Sequence, residues 1–242
     1  MIEFKSVFIQ YVKEFYSLYD FSCVINSHTL FVGDFFDGTV ALMRTLAKID
    51  KHYAGDIFID NVNLKNIKDK DLSVAYLPEK PFLFKNKNIF KNLYFPLKIR
   101  KINKNTAKNL IYSVFFELKK ENFNFLDNYL NNKNNNKNFI NEEFLKLKIE
   151  NILKLKVKKL NLSEQKIIAL IRAVVRNPKY LLLEDFFEDF DNDYVPLAEY
   201  LINKLKRIST IISCEKDETK VELFKDFKNK KLSTENKEKK ED

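Results

Sequence analysis

Residues 2–9 alternate between apolar and polar types, with Ile2 and Phe4 against Glu3 and Lys5, and this period of two predicts a strand. Residues 21–26 and 29–33 predict two more strands with a polar turn between them. The period then changes. After a loop at 33–38, residues 39–49 set Val40, Met43, Leu46 and Ala47 on one helical face. A turn at Gly55 leads into a strand within 52–61, and residues 72–78 form a further strand closed by Pro78 and Pro81.

Between about 85 and 159 the pattern is helical and rich in Lys. It is broken by an Asn-rich insertion at 127–143, with eight Asn in 17 residues, which reads as a low-complexity surface segment. Residues 163–177 predict a strong helix, with Ser163 as N-cap, Glu164 in the first turn and Asn177-Pro178 as the stop. Residues 179–185 read as a buried strand ending in two carboxylates. A helix at 194–208 and a strand at 209–214 follow, and the charged stretch 228–242 is expected to be a disordered tail. Strands alternating with helices argue for an α/β fold with a mixed, largely parallel sheet. The expected division is a core of 1–84 and 160–220 with a helical subdomain at 85–159.

Composition narrows the function classes. A chain of 242 residues with 45% hydrophobic content buries a real core. No apolar run approaches the ~20 residues of a membrane span. The first residues show no signal-peptide pattern, so a cytoplasmic product is expected. Cys23 and Cys214 are too few for a disulfide framework or a Cys-rich metal site. His28 and His52 lack the neighbours that a zinc site or a Ser-His-Asp triad requires. The net charge of +9 comes mainly from Lys, with no Arg-rich patch, so nucleic acid is not the expected partner. Glycine is scarce. Average usage predicts about 17 in this length, and only Gly33, Gly38 and Gly55 occur.

Two of those glycines frame a candidate site. Gly33 and Gly38, five apart between a strand and a helix, fit the spacing of a phosphate-binding loop, GxxxxGK[ST]. In such loops backbone N–H groups cradle phosphates, a lysine reaches the β and γ phosphates, and a hydroxyl holds Mg²⁺. Here Thr39 takes the lysine's place and Val40 the hydroxyl's, so an ordinary tight turn is the competing reading. Glu184 and Asp185 follow three leucines at a strand end. Adjacent carboxylates there suit Mg²⁺ binding and orientation of a water, or else are simply solvated where the strand emerges.

Leu160-Asn161-Leu162-Ser163-Glu164-Gln165, the Arg172-Ala173 pair, Asn177-Pro178 and Leu181-Leu182-Leu183-Glu184-Asp185 together resemble the ATP-binding subunits of ABC transporters, which read close to LSGGxQQRxxLARALxxxPxxLLLDEP here. The resemblance extends, in order, over residues 1 to about 217. It implies a P-loop NTPase-like core, RecA-like in type, with an inserted helical subdomain. It places Tyr11 where an aromatic stacks on adenine, Gly33, Gly38, Thr39 and Val40 at the phosphate loop, and Glu79 at the Q-loop glutamine. Leu160, Asn161, Leu162, Ser163 and Glu164 fall on the signature, Asp191 near the end of the D-loop, and Cys214 or Glu215 on the switch histidine.

The departures from the family pattern fall on its chemical residues. Asp34 and Asp37 flank the space of a triphosphate, where one carboxylate–phosphate pair at ~5 Å costs about 3 kcal/mol. Glu184-Asp185 inverts the family's Asp-Glu order, and a ~1 Å displacement can cost on the order of 10²-fold in rate. The expectation is therefore a degenerate subunit that does not hydrolyse ATP. The resemblance implies ATP and Mg²⁺, but neither is assigned as a cofactor. The partners it implies are a membrane permease subunit and a homo- or heterodimeric arrangement with an ABC ATPase subunit, peripheral on the inner face of a membrane. The alternatives are an active but divergent ATPase, and a basic nucleic-acid-binding protein on the same fold.

Overall fold

The computed structural model describes residues 1–12, 15–32, 38–129, 142–216 and 222–231. It divides into two compact units: Met1–Glu79 with Pro178–Glu188 and Leu205–Asp242, and Lys80–Asn177 with Asp189–Lys204. This differs from the expected 1–84 and 160–220 core: the helix after the signature and most of the helix after Asp191 group with the helical unit.

In the first unit, β1 (Ile2–Val12), β2 (Phe15–Ile25), β4 (Tyr53–Ile59) and β5 (Val62–Asn63) make an antiparallel sheet in the order β2-β1-β4-β5. The alternation along β1 changes phase partway. Ile2 and Phe4 are buried, and then Val7 and Ile9. The register shifts between Phe4 and Val7 against β2, and between Lys5 and Phe8 against β4. One extra residue in a strand flips every later side chain to the other face; Ser6, at φ 45°, absorbs it. Gly55 lies inside β4, not in a turn before it. Its φ is +79°, and a Cβ there would stand 2.1 Å from the Ser6 carbonyl oxygen.

The second sheet is β6 (Val74–Leu77), β7 (Tyr180–Glu184), β8 (Thr210–Glu215), β3 (Thr29–Val32) and β9 (Lys228–Lys231). Its order is β6-β7-β8-β3-β9, and every described pairing is parallel. Leu181, Leu182 and Leu183 are all buried, the continuous apolar run expected of a parallel strand covered on both faces. β9 corrects the expected tail. Lys228–Lys231 pair with Thr29–Val32, seated by the Lys228 N–H donating to the His28 carbonyl at 3.1 Å. The His28 Nδ1 accepts from the Ile211 N–H at 3.1 Å, and its ring stacks on Phe227. That histidine is a joint in the sheet.

Helix α1 (Thr39–Leu46) packs against strands of both sheets. All its residues except Arg44 are buried, and Leu42, Met43 and Leu46 completely so. A helix apolar nearly all round belongs in a core. Its side chains join Phe4, Ile57, Leu182 and Ile212 in one cluster.

The second unit contains α2 (Ile89–Ile99), α3 (Lys104–Lys120), α4 (Glu142–Lys154), α5 (Leu162–Arg176) and most of α6 (Val195–Lys206). Leu93, Leu97, Ile111, Phe115, Ile149, Ile152, Ile167 and Leu170 are buried within it. Asn92, fully buried, holds the preceding aromatic segment: its Oδ1 accepts from the Phe84 N–H at 2.7 Å and its Nδ2 donates to the Phe84 carbonyl at 3.2 Å. Of the Asn-rich insertion, Asp127–Tyr129 form a 3₁₀ turn and Glu142 begins α4; residues 130–141 lie outside the described residues.

Candidate functional site

In an open parallel sheet, ligands gather outside the carboxyl ends of the strands. At that edge of the first unit, β7 delivers Glu184 and Asp185, β8 delivers Cys214 and Glu215, and β6 leads to Glu79. Glu184 pairs in register with Cys214, and the Asp185 N–H donates to the Cys214 carbonyl at 2.9 Å. The head of α1 meets the same edge. Gly38, its N-cap, has φ 82°, a left-handed conformation natural to glycine. Thr39 follows, wholly buried, with its hydroxyl hydrogen-bonded to the Cys214 thiol. Val40 is buried beside it and offers no oxygen from its side chain. Gly33 and residues 34–37 of the loop, and the side chain of Tyr11, lie outside the described residues.

Both carboxylates are engaged by the protein. Tyr76, on β6, donates its phenol to Glu184 Oε2. Burial pushes the Glu184 carboxyl above the usual carboxylate range; the charges of Asp185 and Glu79 add to this, while Tyr76 and Arg44 oppose it. Asp185 has φ 41°. Its Oδ1 accepts from the Lys216 N–H at 3.2 Å, and its Oδ2 lies 3.5 Å from Lys216 Nζ. Burial raises Asp185 as well, against the pull of Lys216. The Cys214 thiol is pushed up to about 12, chiefly by burial. Glu215 is buried and accepts from the Ser213 hydroxyl at 2.9 Å. Among the described residues, no group of three or more His, Cys, Asp or Glu is arranged to hold a metal.

The structure thus gathers Thr39, Val40, Glu79, Glu184, Asp185, Cys214 and Glu215. Leu160, Asn161, Leu162, Ser163 and Glu164 sit in the other unit, and there the cap differs from expectation. Asn161, not Ser163, is the N-cap of α5. Its side chain accepts from the Glu164 N–H at 2.8 Å, and Glu164 Oε2 accepts from the Asn161 N–H at 2.9 Å, a reciprocal capping box. Glu164 is buried, and its carboxylate also accepts from the hydroxyls of Tyr129 at 2.8 Å and Tyr194 at 2.9 Å. A buried anion therefore occupies the positive end of this helix. Ser163 Oγ instead accepts from the Asp191 N–H at 2.8 Å.

Sequence reasoning missed Tyr76, Arg44, Lys216, Tyr129 and Tyr194. Tyr76 and Lys216 stand within segments that carry the family resemblance, three residues before Glu79 and one after Glu215. Tyr129 carries no sequence signal, because its role depends on a contact with Glu164, 35 residues further along the chain.

The sequence profile of the ABC transporter family matches residues 20–187. The chain is 28% identical over 174 residues to the molybdate/tungstate import ATP-binding protein WtpC of Methanocaldococcus jannaschii, covering 72% of this chain and 48% of that protein. It is 24% identical over 154 residues to the sn-glycerol-3-phosphate import ATP-binding protein UgpC of Yersinia enterocolitica, covering 64% and 34%. To the sulfate/thiosulfate import ATP-binding protein CysA of Bacillus cereus it is 27% identical over 154 residues, covering 64% and 36%. The aligned region spans half or less of the length of these relatives.

Proposed function

The chain belongs to the ABC transporter ATP-binding family, and on that premise we propose that it is a non-hydrolysing member that serves an import system as a structural or regulatory subunit. The observation that carries this reading is Thr39. At the place of the phosphate-loop lysine stands an uncharged residue, wholly buried. A lysine there supplies a full positive charge to the transferred phosphate, and positioned charges are the main catalytic device in phosphoryl transfer.

The remaining residues support the same reading. Mg²⁺ in this fold is held by a phosphate-loop hydroxyl and a strand-end Asp. Val40 has no hydroxyl, and both oxygens of Asp185 face Lys216. Glu184 Oε2 already accepts from the Tyr76 phenol, so that oxygen is engaged by the protein and not by a water. The residues present do not fit Mg·ATP, and no reaction step runs through it.

Scaffold function needs surfaces. Phe82, Phe84, Phe95 and Ile99 are exposed in the segment after Glu79, with Phe84 and Phe95 in edge contact at 4.9 Å. We assign this cluster to a permease helix, because exposed aromatics beside a rigid helix suit helix-in-groove recognition. No helix among the described residues is long and apolar enough to cross a membrane. We assign membrane attachment to the permease, with a second ATP-binding subunit, identical or different, as the dimer partner.

The test is equilibrium binding of ATP with and without Mg²⁺, alongside phosphate release by the parent and by Glu184→Ala and Asp185→Ala. Equal background rates in all three agree with the proposal. Turnover that falls in the variants refutes it. Copurification with a membrane protein, lost on Phe84→Ser with Phe95→Ser, tests the scaffold role.

A further inference from the structure

At the far end of α1 from the phosphate loop, a cavity of about 310 Å³ is lined by Thr45, Lys48, Asp50, Lys51, Tyr53, Leu64 and Lys65. It lies within the first unit. The last turn of α1 supplies Thr45, the following turn the two lysines and Asp50, β4 the tyrosine, and the 3₁₀ turn Leu64–Asn66 the remainder.

Two hydroxyls here are buried without a partner: Thr45 Oγ1, on a residue only 1% exposed, and Tyr53 OH. Buried polar groups in native proteins are paired in the great majority of cases, because an unpaired one loses its water for nothing. Nearby groups of the same chain spend their bonds elsewhere. Arg44 grips Asp50 in a two-pronged pair at 2.7 and 3.0 Å. Lys48 donates to the Ile67 carbonyl, Lys65 to the Gly55 carbonyl at 3.0 Å, and Asn63 to Asp56 at 2.8 Å.

We propose that this cavity binds a small phosphomonoester, held by the Thr45 and Tyr53 hydroxyls and the ammonium groups of Lys48, Lys51 and Lys65.

The donor set selects that chemistry. Three ammonium groups donate only, and the Tyr53 phenol stays protonated because burial and neighbouring Asp56 push it up. Such a ring of donors calls for a ligand of several acceptor oxygens and more than one negative charge. A phosphomonoester, with three terminal oxygens and close to two charges at neutral pH, meets both requirements; a carboxylate meets neither fully. The local charge agrees. Arg44, Lys48, Lys51 and Lys65 face Asp50, Asp56 and Asp69, the last of which lies 3.3 Å from Lys48 and 3.8 Å from Lys51. One net positive charge remains.

The carboxyl end of α1 opposes an anion weakly. The carbonyls of Met43, Arg44 and Thr45 are already bonded, however, by the N–H groups of Ala47, Lys48, Ile49 and Asp50. A volume of about 310 Å³ equals that of on the order of ten waters. That exceeds a bare phosphate and leaves space for a small organic body beside Leu64 and Tyr53.

The site is independent of the phosphate loop and of whether the chain hydrolyses ATP. The experiment is isothermal titration of the full chain with ribose 5-phosphate, inorganic phosphate and ribose. Saturable binding of ribose 5-phosphate is expected, weaker binding of phosphate, and none of ribose. Thr45→Val, which keeps the shape and removes the orphan hydroxyl, should weaken ribose 5-phosphate by roughly tenfold, as should Tyr53→Phe, because each removes a bond to a charged ligand. Without ligand, the melting temperature of Thr45→Val should be equal to or above that of the parent. Lys51→Ala, at an exposed rim position, gives the same readout should either variant fail to fold. Absence of binding to the parent at concentrations up to about 10 mM overturns the proposal. So does affinity that survives all three substitutions.

Discussion

The hydroxyl of Thr39 hydrogen-bonds the thiol of Cys214 and ties the head of α1 to the end of β8. Both residues are buried. Thr39→Lys is therefore not a repair. Forcing an ammonium into this core should destabilise the chain by about 3 kcal/mol or more in urea denaturation. Phosphate release from ATP should stay at background, because Val40 and Asp185 are unchanged. Turnover gained by this single change would show that the rest of the machinery is intact.

Burial governs the chemistry of the thiol. With its pKa at about 12, Cys214 is on the order of 10⁻⁴ thiolate at pH ~8. In the native protein, Cys214 should react with a thiol reagent only as fast as the chain unfolds. Its labelling, followed by mass spectrometry, should accelerate with urea in step with global unfolding. Fast native labelling would mean that the end of β8 opens locally.

Glu184 and Asp185 make a pH prediction with a definite sign. Their folded carboxyls sit above the ordinary range, so between the unfolded and folded pKa values the folded state binds more protons. Stability from these groups is present at low pH and falls as pH rises through the raised values. Glu184→Gln removes that penalty and keeps an acceptor for Tyr76. The variant should exceed the parent in stability near pH ~7, with the gap closing toward pH ~4. A gap that widens on acidification would reverse the assignment.

The start of α5 is held by a network of known members. Asn161→Ala loses one cap bond and should cost about 1 kcal/mol. Glu164→Ala leaves the Asn161 N–H and the Tyr194 hydroxyl without this acceptor and the Tyr129 hydroxyl with only the Lys159 carbonyl, and should cost roughly 2–3 kcal/mol. Equal costs in denaturant titrations would mean that the tyrosine bonds contribute nothing.

Gly55 tests the bulge in β1. A methyl at its Cβ position would collide with the Ser6 carbonyl, and φ +79° is costly for any other residue. Gly55→Ala should lose about 2–4 kcal/mol, visible as a lowered melting temperature. Tolerance of alanine would show that β1 and β4 slide to another register.

Much of this was readable one residue at a time. The helical spacing of Val40, Met43 and Leu46 announces α1, and the leucines before Glu184 announce a covered strand. The Asn177-Pro178 stop holds, with Asn177 in the left-handed conformation at φ 53°. The cap lies two residues before the expected Ser163, because Asn161 and Ser163 are both good caps by type. Glu164 decides between them: three residues beyond Asn161, it closes a box that Ser163 cannot form. By sequence alone β9 reads as tail, because Lys228, Lys230 and Lys231 look solvated. Its place depends on an open edge at β3, which lies some two hundred residues earlier in the chain.

What the order of residues settled by itself was lineage and local form: period, punctuation, and a run of motif positions in sequence with the chemical members changed. These are short-range properties, written in neighbours. Only the folded chain decided which groups meet. Thr39 reaches Cys214, Tyr76 reaches Glu184, and Thr45 and Tyr53 are left facing a cavity without partners. Such meetings are set by sheet order and by the burial of α1 between two sheets, long-range packing that no local pattern records.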